Sequence, residues 1–387
     1  FFSYSILSFF LLLLPTGQAS ANNNDSIRLS LLTCAPGEEI YSLFGHTAIR
    51  YENSSQGIDV VFNYGLFSFN TPNFIFRFSL GETDYQLGAT DYERFAAEYA
   101  FFGRSVWQQT LNLTDEEKTE LIRLLQENYR PENRVYRYNF FYDNCATRPR
   151  DKIEESIAGK VIYPAEPQDG SLTFRDIVHQ YCKGHPWARF GIDLCIGSEA
   201  DQPITQRQMM FAPFYLMDAF DGAQIKGDSI QRPLITANEL IVDATPEPDE
   251  SDWMPTPLQC SLLLFILTAA ATIYGIRRRT GLWGIDLFLF GIAGIVGCVL
   301  AFLALFSQHP AVSSNFLLLV FHPGQLLFLP YIIYCVRKGK KCWYLTLNLA
   351  VLTLFIVLFP VIPQRFDFAV VPLALVLLIR SASNLIV

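Results

Sequence analysis

The chain has 387 residues, room for two domains, and its 51% hydrophobic content is high for a water-soluble protein. It is acidic, with 37 Asp and Glu against 29 Lys and Arg, and no basic stripe marks a nucleic-acid-binding face, so that class is set aside. Charge is concentrated before about residue 257 and long apolar runs follow, which reads as a water-facing domain joined to a membrane domain.

In chain order, residues 1–21 are apolar and end in Ala19-Ser20-Ala21, which fits the small-x-small rule for signal-peptidase cleavage. A signal peptide over 1–21 makes the following segment an exported domain, 22–244. Ser26 to Cys34 alternates as a strand, and Ile40 to Arg50 and Asp59 to Tyr64 form a hairpin about a polar turn. His46 lies on the first arm and Asn63 on the second. That pairing lets the Asn63 amide hold one imidazole nitrogen; the alternative is a strand-end Asn in the turn before Gly65. Helices are predicted at Asp91–Phe101 and Asp115–Tyr129, the second opened by a capping box of Thr114 and Glu117 and ended at Pro131.

An aromatic, strand-like run from Tyr138 then reaches Asp143-Asn144, good N-cap residues, and a helical pattern with Ile153 and Ile157 follows. Cys145 is thus predicted in the first turn of a helix, where open N–H groups and the helix dipole favour thiolate over thiol. A thiolate nucleophile needs a base, and His46 is the candidate. Histidine first and cysteine second, opening a helix, is the order of a permuted papain-like fold. The competing reading is a buried structural cysteine and a satisfied core histidine. Pro149 falls four residues after Cys145 and removes a helical donor from its carbonyl.

Residues 160–204 read as loop-rich apart from a short helix at Thr173–Tyr181, with His179 and His185 as surface residues lacking a partner motif. Cys182 and Cys195 bracket a Gly- and Pro-containing loop and form a candidate disulfide in an oxidising compartment. Cys34 is either a core residue beside the His46 strand or a second functional thiol. No Cys or His spacing argues for a metal, and no cofactor motif is present. The stretch Gln208–Phe220 is apolar enough to border lipid or to be a core helix. Residues 245–257 form an acidic, Pro-containing linker.

From Leu258 five spans are predicted, at roughly 258–276, 284–306, 314–336, 343–362 and 367–380, giving an all-α transmembrane bundle over 258–387. Arg277-Arg278-Arg279 and the basic stretch 337–341 are cytoplasmic by the positive-inside rule, so the thiol domain lies on the opposite side. The third span holds His322 and Gln325 with Pro323 and Gly324 between them, either facing a cavity or forming a kink.

The motifs Phe44-Gly45-His46-Thr47-Ala48-Ile49-Arg50, Phe62-Asn63-Tyr64-Gly65, Pro131-Glu132-Asn133-Arg134 and Asp143-Asn144-Cys145-Ala146-Thr147 resemble the N-terminal periplasmic domain of the Lnb family. The resemblance runs from about residue 26 to the end. It implies an α+β, permuted NlpC-like thiol domain on the periplasmic side of a multi-pass protein of the inner (cytoplasmic) membrane. It further implies a lipoprotein N-acyltransferase, moving a fatty acyl chain from a phospholipid to the α-amino group of a lipoprotein's diacylglyceryl-modified N-terminal cysteine. By motif, His46 is the base and Cys145 the nucleophile. Asn144 is a candidate oxyanion donor, with His322 and Gln325 candidates for the inner end of a lipid cavity. Two rivals stand beside it: a membrane-anchored cysteine peptidase or amidase acting on cell-wall peptides, and a membrane scaffold with a structural Cys145.

Overall fold

A computed structural model describes residues 26–68, 70, 72–164, 172–227, 231–244 and 254–386. The expected signal peptide and most of the 245–257 linker lie outside the described residues. The first domain runs β1 (Ile27–Cys34), β2 (His46–Asn53), β3 (Ile58–Leu66), α1 (Phe74–Ser79), β4 (Asp84–Asp91), α2 (Tyr92–Phe101), β5 (Val106–Leu111), α3 (Asp115–Tyr129), β6 (Val135–Arg137) and α4 (Thr147–Ser156). It continues with β7 (Lys160–Ile162), α5 (Phe174–Tyr181), α6 (Pro186–Cys195), α7 (Gln206–Met209), α8 (Pro213–Asp221), β8 (Gln224–Lys226), β9 (Gln231–Pro233) and β10 (Ile235–Val242).

Seven strands form an antiparallel sheet in the order β10-β5-β1-β2-β3-β4-β6, and β7-β8-β9 form a small second sheet. Alternation along the strands sorts the core. Leu29, Leu31, Ile49 and Phe62 pack with Leu121, Leu125 and Ile153 of α3 and α4. Leu32, Cys34, Ala48 and Val61 face Phe95 of α2 on the other side. The Thr114–Glu117 capping box forms as expected. Arg50 explains the end of its motif: its guanidinium bonds Asp59 at 2.8 and 2.6 Å and Gln108 at 2.8 Å, tying β2 to β3 and β5.

Because every pairing is antiparallel, one end of the large sheet collects the C-termini of β1, β3, β6 and β10 with the N-termini of β2, β4 and β5. His46 sits at that end, and from it β10 leads toward the helical domain.

That domain comprises α9 (Pro257–Arg278), α10 (Trp283–Phe306), α11 (Pro323–Leu327), α12 (Leu329–Arg337), α13 (Trp343–Leu358) and α14 (Val370–Ile386). Two helices, α9 and α10, are long and apolar enough to cross a membrane, or three if the bent segment Phe316–Arg337 counts as one. The predicted third span is broken by 73°, with Pro323 and Pro330 each lacking a helical donor, and α13 and α14 are shorter apolar helices. Arg380 of α14, bonded to Asp286 at 2.6 and 2.9 Å and to Thr272 at 2.9 Å, ties α14 to α10 and α9.

The two domains meet through loops at the near end of the helices. Gln308 donates to the Leu80 carbonyl at 2.8 Å, His309 to that of Phe78 at 2.6 Å, and the Phe76 and Phe302 rings lie 6.0 Å apart. Further along, Gly197 donates to Ala311 at 2.7 Å and Asn315 to Leu194 at 2.7 Å. Arg365 bonds Asp176 and Thr173 at 2.6 Å and Asp201 at 3.0 Å.

Candidate functional site

Register brings the first two site residues together. Ala48 pairs with Asn63, so His46, two residues before Ala48, shares that face of the sheet with Asn63. The His46 Nε2 and Asn63 Oδ1 are 3.2 Å apart, and the other end of the amide reaches the Val61 carbonyl at 3.5 Å. An amide oxygen only accepts, so Nε2 is the donor and Nδ1 is left as the basic nitrogen. Gly45 makes the approach possible: it has φ of +77°, and a Cβ there would stand 2.5 Å from the Cys34 carbonyl oxygen.

Cys145 arrives from the opposite direction. A tight turn, with Asn139 and Asp143 exchanging hydrogen bonds at 2.9 Å, replaces the expected strand and delivers the chain to Asn144. The helix starts at Thr147, so Cys145 lies on the turn just ahead of it rather than inside its first turn. Asn144 is the reason. Its Oδ1 accepts from Ala146 and Thr147 N–H groups at 2.8 and 2.9 Å, the work of a cap. Its Nδ2 is spent on the carbonyls of Phe140 and Phe211 at 2.8 and 2.9 Å, so Asn144 is a positioning residue and has no donor left for an oxyanion. Pro149, third in the helix, falls between Arg148 and Arg150, whose N–H groups donate to the Asn144 and Ala146 carbonyls at 3.2 Å, and so leaves the Cys145 carbonyl without the helical donor, as expected.

The backbone N–H groups of Thr47 and of Cys145 itself favour the Cys145 thiolate, which places its sulfur near the residue that follows His46. The expected low-pKa thiol is not what this arrangement produces. Burial raises Cys145 to about 11, and the two N–H groups only partly offset it. Burial likewise lowers His46 to about 4, with the Asn63 bond opposing and the nearby Arg104 cation adding to the shift. Both shifts favour a neutral thiol and a neutral imidazole at rest. Cys34, opposite His46 in the β1–β2 ladder, is fully buried and raised to about 12 by that burial, with the Tyr99 hydroxyl as partner. It is a core residue.

Sequence reasoning missed Arg104 and the aromatic surface beside the site. Arg104 holds the Ala35 carbonyl at 2.8 Å and lies over the Tyr99 ring at 4.8 Å, with no carboxylate partner among the described residues. Tyr138 stacks on Tyr85 at 4.2 Å, Tyr85 meets Phe67 at 5.0 Å, and Phe67 stacks on Phe74 of α1 at 5.9 Å. Helix α1 buries no residue, and Ile75 and Phe76 are exposed beside α10. Exposed Ile40, Tyr41, Phe101 and Phe102 crown the same end of the sheet. The signal available in the sequence was the aromatic density of Phe67–Phe78.

Other expectations resolve elsewhere. Cys182 and Cys195 are free. The segment between them forms helix α6 rather than a loop, and it folds back so that Asp193 meets His179 of α5. His179 is partnered, with Nε2 at 2.9 Å from both Asp193 oxygens, and Asp193 also bonds fully buried Arg175 at 2.6 Å. Met209, Met210, Phe211 and Leu216 are buried core. His322 lies within the helical domain, its Nε2 3.2 Å from Asn348 Oδ1, and Asn348 bonds Ser381 at 2.9 Å. Gln325 is fully buried and donates to the Val320 carbonyl at 2.7 Å. Neither belongs to the Cys145 site.

These features define a membrane protein whose α+β domain gathers a cysteine, a histidine and an asparagine at the sheet end facing its helical domain. Comparison with known families places it further. Residues 17–179 match the Lnb N-terminal periplasmic domain and residues 249–387 the Lnb transmembrane domain, so the chain belongs to the Lnb family. No curated protein and no solved structure matches it.

Proposed function

We propose that the protein is a lipoprotein N-acyltransferase of the inner membrane, carrying an acyl chain from phospholipid to the amino terminus of a diacylglyceryl-lipoprotein through a thioester on Cys145. The observation that carries the reading is the placement of His46, Asn63 and Cys145 at the sheet end that meets the helical domain, beside an apolar aromatic surface leading to α10. A peptide hydrolase of the cell wall has no use for such a surface.

In the first step the Cys145 sulfur attacks the ester carbonyl while His46 Nδ1 takes the thiol proton. The tetrahedral intermediate collapses, His46 returns the proton to the departing lysophospholipid oxygen, and a thioester remains. In the second step the lipoprotein amine attacks the thioester, His46 accepts an amine proton, and the thiol is regenerated. Asn63 holds the ring so that Nδ1 serves both steps, as the third member of such constellations does. The N–H groups of Thr47 and Cys145 suit an oxyanion. Arg104, a cation without a carboxylate partner among the described residues, suits the donor's phosphate.

The test is incubation of the purified protein with radiolabelled phospholipid. A hydroxylamine-sensitive acyl group on the wild type and none on Cys145→Ala is the expected result. Hydrolysis of peptidoglycan peptides without any acyl-enzyme would move the assignment to the peptidase class.

A further inference from the structure

We infer that Tyr136 is part of the reacting centre: its phenol O–H is held in reserve to donate a hydrogen bond to the Cys145 sulfur when that sulfur becomes an anion. Tyr136 lies on β6, opposite Tyr85 of β4, and is 7% exposed. Its hydroxyl is buried and has no hydrogen-bond partner among the described residues. Tyr64, the neighbouring buried phenol, shows the ordinary outcome, donating to Asn128 at 2.7 Å. A buried hydroxyl left unpaired is destabilising, and phenylalanine would fill the same space without that penalty.

Its position supplies the missing partner. The point where a Cβ on Gly65 would stand is 4.0 Å from the Tyr136 oxygen and 3.5 Å from the Cys145 Cβ. Gly65 has φ of +92°, and its bare Cα keeps that space clear between phenol and thiol. Rotation of Cys145 about χ1 swings its sulfur, one bond beyond that Cβ, among staggered wells. Above the Tyr136 ring, 3.5 Å from its centre, lies the Arg148 guanidinium, itself clamped by Asp143 at 2.6 and 2.8 Å. A cation on the ring face draws electron density from the phenol and makes its O–H a stronger donor.

The groups around the sulfur leave this role open. His46 comes from β2, Cys34 from β1, Tyr85 from β4, Tyr99 from α2, Tyr138 from the turn, and Arg104 from the loop before β5. His46 takes the thiol proton, the S–H bond breaking as N–H forms on Nδ1, and that new N–H gives the anion one donor, leaving the side toward Gly65 and Tyr136 to a second. Tyr138 stacks on Tyr85, and Tyr99 is engaged with Cys34. Tyr136 keeps its own proton throughout and contributes only the hydrogen bond.

The inference rests on the thiol-nucleophile reading of the site and on no particular substrate, so its test uses none. Full-length protein in detergent is alkylated with iodoacetamide across a pH series, and modification of the Cys145 peptide is followed by mass spectrometry. In Tyr136→Phe the rate at fixed pH should fall roughly 10- to 100-fold, the range of a hydrogen bond to a charged group, with the profile displaced to higher pH. Thermal stability should hold or rise, since the lost hydroxyl had no partner. An unchanged alkylation profile overturns the inference. Should Tyr136→Phe fail to fold, 3,5-difluorotyrosine at position 136, a stronger donor of nearly the same size, decides it: faster alkylation is expected, and an unaltered rate overturns it. Because no acyl donor is present, failure here leaves the acyl-transfer reading to its own assay.

Discussion

The resting ionisation of the site has a direct kinetic consequence. With Cys145 raised to about 11, roughly one thiol in ten thousand is thiolate at pH 7. With His46 lowered to about 4, no imidazolium is present to stabilise more. Alkylation of Cys145 by iodoacetamide should therefore climb about tenfold per pH unit from pH 7 to about 10, without an early plateau. A preformed thiolate–imidazolium pair would instead give a flat, fast rate from about pH 5 to 8. The assay is rate against pH at the Cys145 peptide, with Cys145→Ser as the blank. A plateau below pH 7 would refute the neutral-pair reasoning. The same shifts set the stability profile. The unfolded chain binds a proton at His46 below its ordinary 6.5, so stability falls as pH drops from 6.5 toward 4. It loses the Cys145 proton first above 9.0, so stability also falls as pH rises from 9 toward 11.

Replacing His46 by Ala should slow acyl-enzyme formation by about 10²–10⁴, measured by single-turnover labelling, and an unchanged rate would remove it from the site. Asn63→Ala removes one neutral hydrogen bond, about 0.5–1.5 kcal/mol, and should lower kcat roughly two- to twelvefold with KM held; a pure KM effect would count against orientation of His46. Arg175→Met leaves the buried Asp193 without its guanidinium partner and should cost about 3–5 kcal/mol in denaturant unfolding, whereas a loss below 1 kcal/mol would show the network to be dispensable. Cys182 and Cys195 should both be alkylated in unreduced, denatured protein, and recovery of a bridged peptide would show the two paired instead.

The parts of the site legible in the sequence are those fixed by short-range pattern. His46 and Asn63 could be paired because hairpin register follows from two alternating runs about a polar turn. The Thr114 box was legible for the same reason. Cys145 was expected in the first turn of a helix and lies on the turn just ahead of α4, and its environment was read from helix position alone. Burial against β2, β3 and the turn tyrosines is a tertiary effect, and here it outweighs the N–H groups that favour thiolate. Asn144 shows the same limit, since the Phe211 carbonyl that occupies its amide lies 67 residues away. Helix α6 was concealed by Gly184, His185 and Pro186, although Pro at the first helical position is itself a start signal. The missed β5 and β10 pair across more than a hundred residues, beyond local periodicity.

The contacts between the domains bear on why a thiol domain of this kind is mounted as it is. Drawing an acyl chain into water costs about 0.8 kcal/mol per CH₂, which exceeds 10 kcal/mol for an ordinary lipid chain. An acyltransferase avoids that cost by holding its nucleophile near the lipid boundary, and a flexible tether alone would not hold it there. Here the contacts are short and directional: backbone bonds at Leu80 and Gly197, the Phe78 carbonyl on His309, and Arg365 spanning Thr173, Asp176 and Asp201. They grip both sides of the domain, α1 on one and α5 with the 196–201 loop on the other. A hinge needs one side free, and two grips fix the sheet end relative to the helices. With that end fixed, the exposed side chains of α1 lie against α10, and Tyr138, Tyr85, Phe67 and Phe74 form apolar surface leading from them to the neighbourhood of Cys145. Under the acyl-transfer reading, the chain's path is thus set by the same contacts that join the domains, and loosening the Arg365 grip should cost acylation rate before it costs stability.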